Sequence, residues 1–350
     1  MTQQTLREEI AGFFPGYFSL VMATGIVSIA GYLLNFRALA WLLLFINLVA
    51  YVVLWIITGA RLLLYWPRVW ADLTNHSRGP GFFTLVAGTC VLGSQLVVVA
   101  DLPHLARWLW LLALCLWLPI MYTFFAAMTV RAEKPPLEQG LNGAWLLAIV
   151  AVQSLAVLGM LVASQWNSGR EVLVFASLCL YLLGSMLYLL IITLIFYRFT
   201  FFVFAAGALA PPYWINMGAV AITTLAGSTL ILNSSDYALL QDLLPFLKGF
   251  TLFFWATATW WIPLLLLLGL WRHSLQHFPF AYDPQYWGMV FPLGMYTVCT
   301  FRLAQALEQS FLLIIPRGFL FFAFAAWLAT MTGLVLHLTR HLRVKAEAQG

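Results

Sequence analysis

The chain has 350 residues, of which 63% are hydrophobic and only 8% charged, with a net charge of +5. Soluble domains carry about 25% charged residues, so this composition cannot cover a water-facing surface, and the solvent must be lipid. The basic residues are spread singly over loops and helix ends; they read as topology charge and form no phosphate-binding patch, which excludes a nucleic-acid partner.

The opening MTQQTLREEIAGFFPG is polar and mixed in charge, and the apolar run behind it is too long for the core of a cleavable leader. That run is the first span. A helix crosses the hydrocarbon layer with about 20 mainly apolar residues. Ten stretches satisfy this in chain order: 13–34, 39–64, 82–100, 106–130, 143–164, 171–197, 212–232, 243–272, 288–307 and 313–338. They are continuous rather than alternating, so they predict helices and not barrel strands. The expected fold is an all-α integral membrane protein, with residues 1–350 forming a single transmembrane domain. Between the sixth and seventh spans, FFVFAAGALA at 201–210 is apolar but too short to cross, and reads as interfacial or re-entrant. An even number of spans puts both termini on one side. The side that carries Arg61, Arg131, Arg198, Arg272, Arg340, Arg343 and Lys345 has roughly a two-to-one excess of basic residues, which places the termini in the cytoplasm.

Odd and even spans differ. Gly, Ser and Thr make up about a quarter of the odd spans and about an eighth of the even ones, which are richer in Leu, Trp and Phe. The odd spans carry Gly16, Thr24 and Gly25, then Gly88 and Gly93, Gly159, Gly218 and Gly227, and Gly294. Two arrangements fit. Either the odd helices form an inner ring around a pore, with five helical hairpins about one axis, or small residues simply let helices pack closely with no pore. Pro15 and Pro292 fall in odd spans beside an aromatic and near a glycine (FFPG, FPLG), where a lost hydrogen bond kinks the helix. Even spans contain prolines too.

No acidic residue or histidine falls at mid-membrane depth. This argues against proton-coupled pumping and cation conduction and suits an anion path. Arg302 is the one basic residue set inside a span; it attracts anions at a pore mouth or, in the preferred reading, snorkels or pairs with Glu308. The pair His273 and His277 lacks the glutamate of a zinc motif, and Cys90, Cys115, Cys179 and Cys299 have no paired spacing. No cofactor, metal site or catalytic constellation is expected.

Three stretches, FFPGYFSLVMATGIVSIAG (13–31), PPYWINMGAVAITTLAGS (211–228) and YWGMVFPLGMYTVCTFRLA (286–304), resemble the family that joins bacterial tellurite-resistance proteins, yeast-type malate and sulfite transporters and plant slow anion channels. The resemblance runs over essentially the whole chain. It implies a bacterial inner-membrane protein, a homotrimer with one pore per subunit, odd helices inside and even helices outside. It also implies a phenylalanine plug from the ninth span, whose matching position is Phe291, with Phe301 as second choice. The expected partners are small inorganic or dicarboxylate anions and the lipid bilayer. A secondary transporter of four-carbon dicarboxylates, sulfite or tellurite, with or without proton linkage, is the alternative.

Overall fold

A computed structural model describes residues 3–166, 168–279 and 281–347, with side chains from 7 to 340; Arg343 and Lys345 lie outside that side-chain range. Every regular element among the described residues is helical. The long helices are α1 (Pro15–Leu33), α2 (Arg37–Leu64), α3 (Gly79–Ala100), α4 (Pro103–Val130), α5 (Gly143–Gln165), α6 (Arg170–Phe201), α7 (Pro211–Leu232), α8 (Leu244–Leu275), α9 (Trp287–Ala306) and α10 (Ser310–Arg340). Among the described residues, nine are long and apolar enough to cross a membrane. The exception is α9. Its 20 residues rise about 30 Å, enough for the hydrocarbon layer, but Pro292, Tyr296, Thr297, Thr300, Arg302 and Gln305 dilute its apolar character.

Lipid does not require α9 to be apolar, because α9 does not face it. Each odd helix packs against the next, and α9 closes back onto α1, so α1, α3, α5, α7 and α9 form a ring. The most apolar stretches of α1, α3, α5 and α7 are 83% to 94% buried, against 22% to 44% for α2, α4, α6, α8 and α10. The even helices therefore carry the lipid-facing surface, with exposed residues such as Trp41, Phe45, Trp108 and Phe322. Hairpin turns are tight: Asn35, Asp101 and Glu308 take left-handed conformations just past helix C-termini, as chain reversal there favours, and Gly169 does so just before α6.

Most of the segment 201–210 is irregular. After α6 it makes one short turn, Ala206–Ala208, and Phe204 packs on Phe199 and Tyr213, while Phe201 and Val203 stay exposed.

Most of the predicted small residues prove to be contact points between helices. A Cβ on Gly218 would come within 2.7 Å of the Pro292 ring, one on Gly294 within 2.7 Å of Ile26, one on Gly93 within 2.6 Å of Leu158, and one on Gly25 within 2.7 Å of Val91. Gly88 meets the Phe18 carbonyl. These five glycines lie in the seams of the inner ring. Gly159 and Gly227 instead face the outer ring, against Ser177 and Thr251.

The polar groups of the bundle bond across the two layers. Asn47 Nδ2 donates to Gln95 Oε1 at 2.7 Å, Trp110 Nε1 to the Leu155 carbonyl at 3.0 Å, Trp255 Nε1 to Thr300 Oγ1 at 2.9 Å, and Trp327 Nε1 to Thr24 Oγ1 at 3.0 Å. At the end where the chain begins, arginines from the outer helices turn back to carbonyls preceding the inner helix of the same hairpin: Arg61 to Ala11, Arg131 to Thr74, Arg198 to Leu141 and Arg272 to Leu209. A cation at a helix C-terminus also meets the negative end of the helix dipole.

Gly227 and Gly269 offer a matched test of this packing. A Cβ at Gly227 would meet Thr251 Oγ1 at 2.0 Å and Tyr181 Oη at 2.9 Å, whereas nothing lies within 4 Å of Gly269. Gly227→Ala is expected to destabilise the protein by about 1–3 kcal/mol and lower its thermal unfolding midpoint in detergent. Gly269→Ala should leave the midpoint unchanged or slightly raised.

Candidate functional site along the bundle axis

The inner helices share one local design. Each α-helical stretch, starting at Ser19, Phe83, Leu147, Ile215 or Trp287, follows a short 3-10 turn rich in proline, glycine and aromatic residues. Proline suits this position because its missing N–H is not needed in a first helical turn. The five turns contact one another in a closed ring, so the five helices start level.

Two cavities lie on the axis. The proximal one, beside the ring of turns, has a volume of about 330 Å³ and includes Gly16, Ser19, Met22, Arg78, Thr84, Leu147, Ile215, Gly288 and Phe291 in its wall. The distal one is narrow, about 40 Å³, and is lined by Ile26, Ile29, Cys90, Ser94, Ser154, Val157, Ile222, Thr229, Met295, Val298, Arg302 and four further aliphatic side chains. All five inner helices contribute to both. On α9 the lining residues are Gly288, Phe291, Met295, Val298 and Arg302. Their alternating three- and four-residue steps are one face of a helix, so a single stripe of α9 looks at the axis from end to end.

Phe291 sits on that stripe between the two cavities and is fully buried. It lies four residues past the start of its α-helix, about 6 Å up the axis. Four residues past the last residue of each entry motif (Phe18, Phe83, Leu146, Trp214 and Trp287), the residues level with Phe291 are Met22, Ala87, Val150 and Gly218, all buried. Of these, Met22 lines the proximal cavity together with Phe291. Phe301 lines neither cavity. Gly16 is the one predicted glycine in a cavity wall, while Pro15 faces a separate apolar pocket between α2 and α4. Thr24 is taken up by Trp327.

Electrostatically the path is positive at both ends. No carboxylate is among the lining residues of either cavity. Arg78, at the proximal mouth, pairs with Asp72 at 2.8 Å, and Asp72 also holds Arg61. Arg302 lines the distal cavity and donates to Gln305 Oε1 at 3.0 Å. The expected partner Glu308 is displaced because it occupies the left-handed turn after α9. His273 Nδ1 lies 2.9 Å from the Phe278 carbonyl, and His277 sits past the helix end at φ 51°, so the two do not share a helical face. Among the described residues no group of three or more His, Cys, Asp or Glu side chains is placed to hold a metal ion.

The sequence reading missed the repeat that organises the site. PGYF (15–18), PGFF (80–83), GAWL (143–146), PPYW (211–214) and PQYW (284–287) recur once per hairpin. Aligned on the last residue of each motif, the level of Phe291 is occupied on the other inner helices by Met22, Ala87, Val150 and Gly218, a signal present in the sequence.

The sequence pattern of the voltage-dependent anion channel family matches residues 12–335. An uncharacterized membrane protein of Mycobacterium tuberculosis is 33% identical over 152 residues, covering 43% of this chain and 77% of that protein. An uncharacterized transporter of Methanocaldococcus jannaschii is 24% identical over 330 residues, 92% of each chain. A sulfite efflux pump of Arthroderma benhamiae is 22% identical over 341 residues, 91% of this chain and 88% of that one. With the match spanning the inner and outer helices of the bundle alike, the chain belongs to the voltage-dependent anion channel family.

Proposed function

We propose that each subunit is a passive conduit for small anions, running from the proximal to the distal cavity and shut by the Phe291 ring. The observation that carries this reading is the fully buried Phe291 on the axial stripe of α9, set between two axial cavities that hold arginines and no carboxylates. An apolar constriction stops a hydrated ion by sterics and by the cost of stripping its water. Displacement of the Phe291 ring removes that barrier. The protein works as a homotrimer in a bacterial inner membrane, with both termini in the cytoplasm. The excess of arginine at the proximal end supports that orientation, which makes the proximal cavity the cytoplasmic one.

Phe291→Ala removes the ring from the axial stripe of α9 and is expected to raise anion conductance in planar bilayers by tenfold or more. An unchanged current contradicts the gate.

Sulfite export is the second reading, favoured by the relatives that are sulfite efflux pumps. A conduit and a carrier separate in proteoliposomes. As a conduit, the protein should release sulfite at a rate that follows the electrochemical gradient without saturating and without a proton gradient. Saturable flux that stops when the proton gradient is collapsed would establish the carrier instead.

A further inference from the structure

The distal cavity is more than a passive vestibule. Its wall is aliphatic except for a few polar side chains, and two of these are serines on neighbouring helices, Ser154 on α5 and Ser94 on α3. Ser154 is 2% exposed, and its Oγ has no hydrogen-bond partner among the described residues. Several other hydroxyls of the inner ring are consumed by helix carbonyls, as Thr223, Thr224 and Thr229 are by Ala219, Val220 and Leu225; Ser228 on α7 also has no partner but lines neither cavity. A buried hydroxyl left unbonded in an apolar wall costs stability, so its retention beside a cavity requires an account.

Across the ring from the α3–α5 seam stands α9, which brings Arg302 into the same cavity. Counted from the level starts of the helices, Ser154 lies seven residues up, Ser94 eleven and Arg302 fifteen. These correspond to about 10, 16 and 22 Å along the axis, against about 6 Å for Phe291. The donors rise in steps from just beyond the plug to the rim.

We infer that this ladder is a subsite for small oxyanions, with Ser154 the deep donor, Ser94 the middle one and Arg302 the rim contact. The inference rests on the proposed anion conduit. An oxyanion offers several acceptor atoms, so it can hold one donor while reaching for the next, and the planar guanidinium fork matches two of its oxygens at once. A halide, a single spherical acceptor, gains less from the same set. The ladder therefore sets preference among anions, whereas Phe291 sets whether any of them pass.

The test uses the full-length protein in planar bilayers with Phe291→Ala as the conducting background, and nitrate against chloride as probes because neither titrates. Adding Ser154→Ala is expected to lower the nitrate-to-chloride permeability ratio threefold or more, while Ser154→Thr, which keeps the hydroxyl, retains it. Arg302→Lys should lower the same ratio while anion-over-cation selectivity holds, and Arg302→Gln should lower both. A ratio unmoved by both Ser154→Ala and Arg302→Lys, with current present, overturns the subsite. Absence of anion current from Phe291→Ala itself overturns the conduit on which the subsite rests.

Discussion

Hydrocarbon offers no hydrogen-bond partner, so each polar group taken into the bilayer must find one inside the protein or be left at a cost. In this bundle much of the requirement is met between the two layers of helices. Asn47 and Gln95, Tyr51 and Thr89, Thr259 and Tyr296, and the indoles of Trp110, Trp255 and Trp327 bond outer helix to inner helix. The inner helices thereby turn much of their polarity away from the axis. What remains on the axis is largely aliphatic, with arginine at each mouth. The same bonds fix the rotation of each inner helix, and so decide which stripe of side chains faces the axis.

Rotation and level together make the waist. The level start of the inner helices follows from five short turns that touch in a ring. Arginines at the ends of the outer helices hold the chain just ahead of several of these turns. These residues thus have two physical roles. They contribute to the basic bias that sets membrane orientation, and they satisfy carbonyls that would otherwise be buried unpaired. Once levels are fixed, so is the set of α9 residues that face the axis, Gly288, Phe291, Met295, Val298 and Arg302.

Much of this was legible in the sequence, and for identifiable reasons. The helices follow from the length of their apolar runs, and the inner and outer rings from the density of small residues. The reason for that density was less legible. Gly25, Gly88, Gly93, Gly218 and Gly294 sit in the seams of the ring, which the packing reading foresees, yet the seams enclose the axial cavities that the pore reading foresees. Closeness of backbones and the existence of a lumen are one geometric fact, because helices that approach tightly side by side can close a ring without filling its centre. For Arg302 the sequence reading weighed snorkelling or a charged partner, Glu308, against a role at the pore mouth. A left-handed turn carries Glu308 away, and neutral Gln305, one helical turn on, takes its place. The donors Ser94 and Ser154 gave no signal, since a serine in a small-residue helix looks like packing until its hydroxyl is found without a partner. The level that Phe291 shares with Met22, Ala87, Val150 and Gly218 was readable, but only after aligning five first turns whose shared feature is a pattern of residue types rather than identity.

The account stands on the two axial cavities being one passage interrupted at a single residue. A high-resolution map of the Phe291→Ala protein in lipid nanodiscs examines that directly. The account predicts one continuous lumen from Gly288 to Arg302, with the surrounding helices unmoved. Cavities that stay separated by other side chains, or inner helices that collapse into the vacated space, would contradict it.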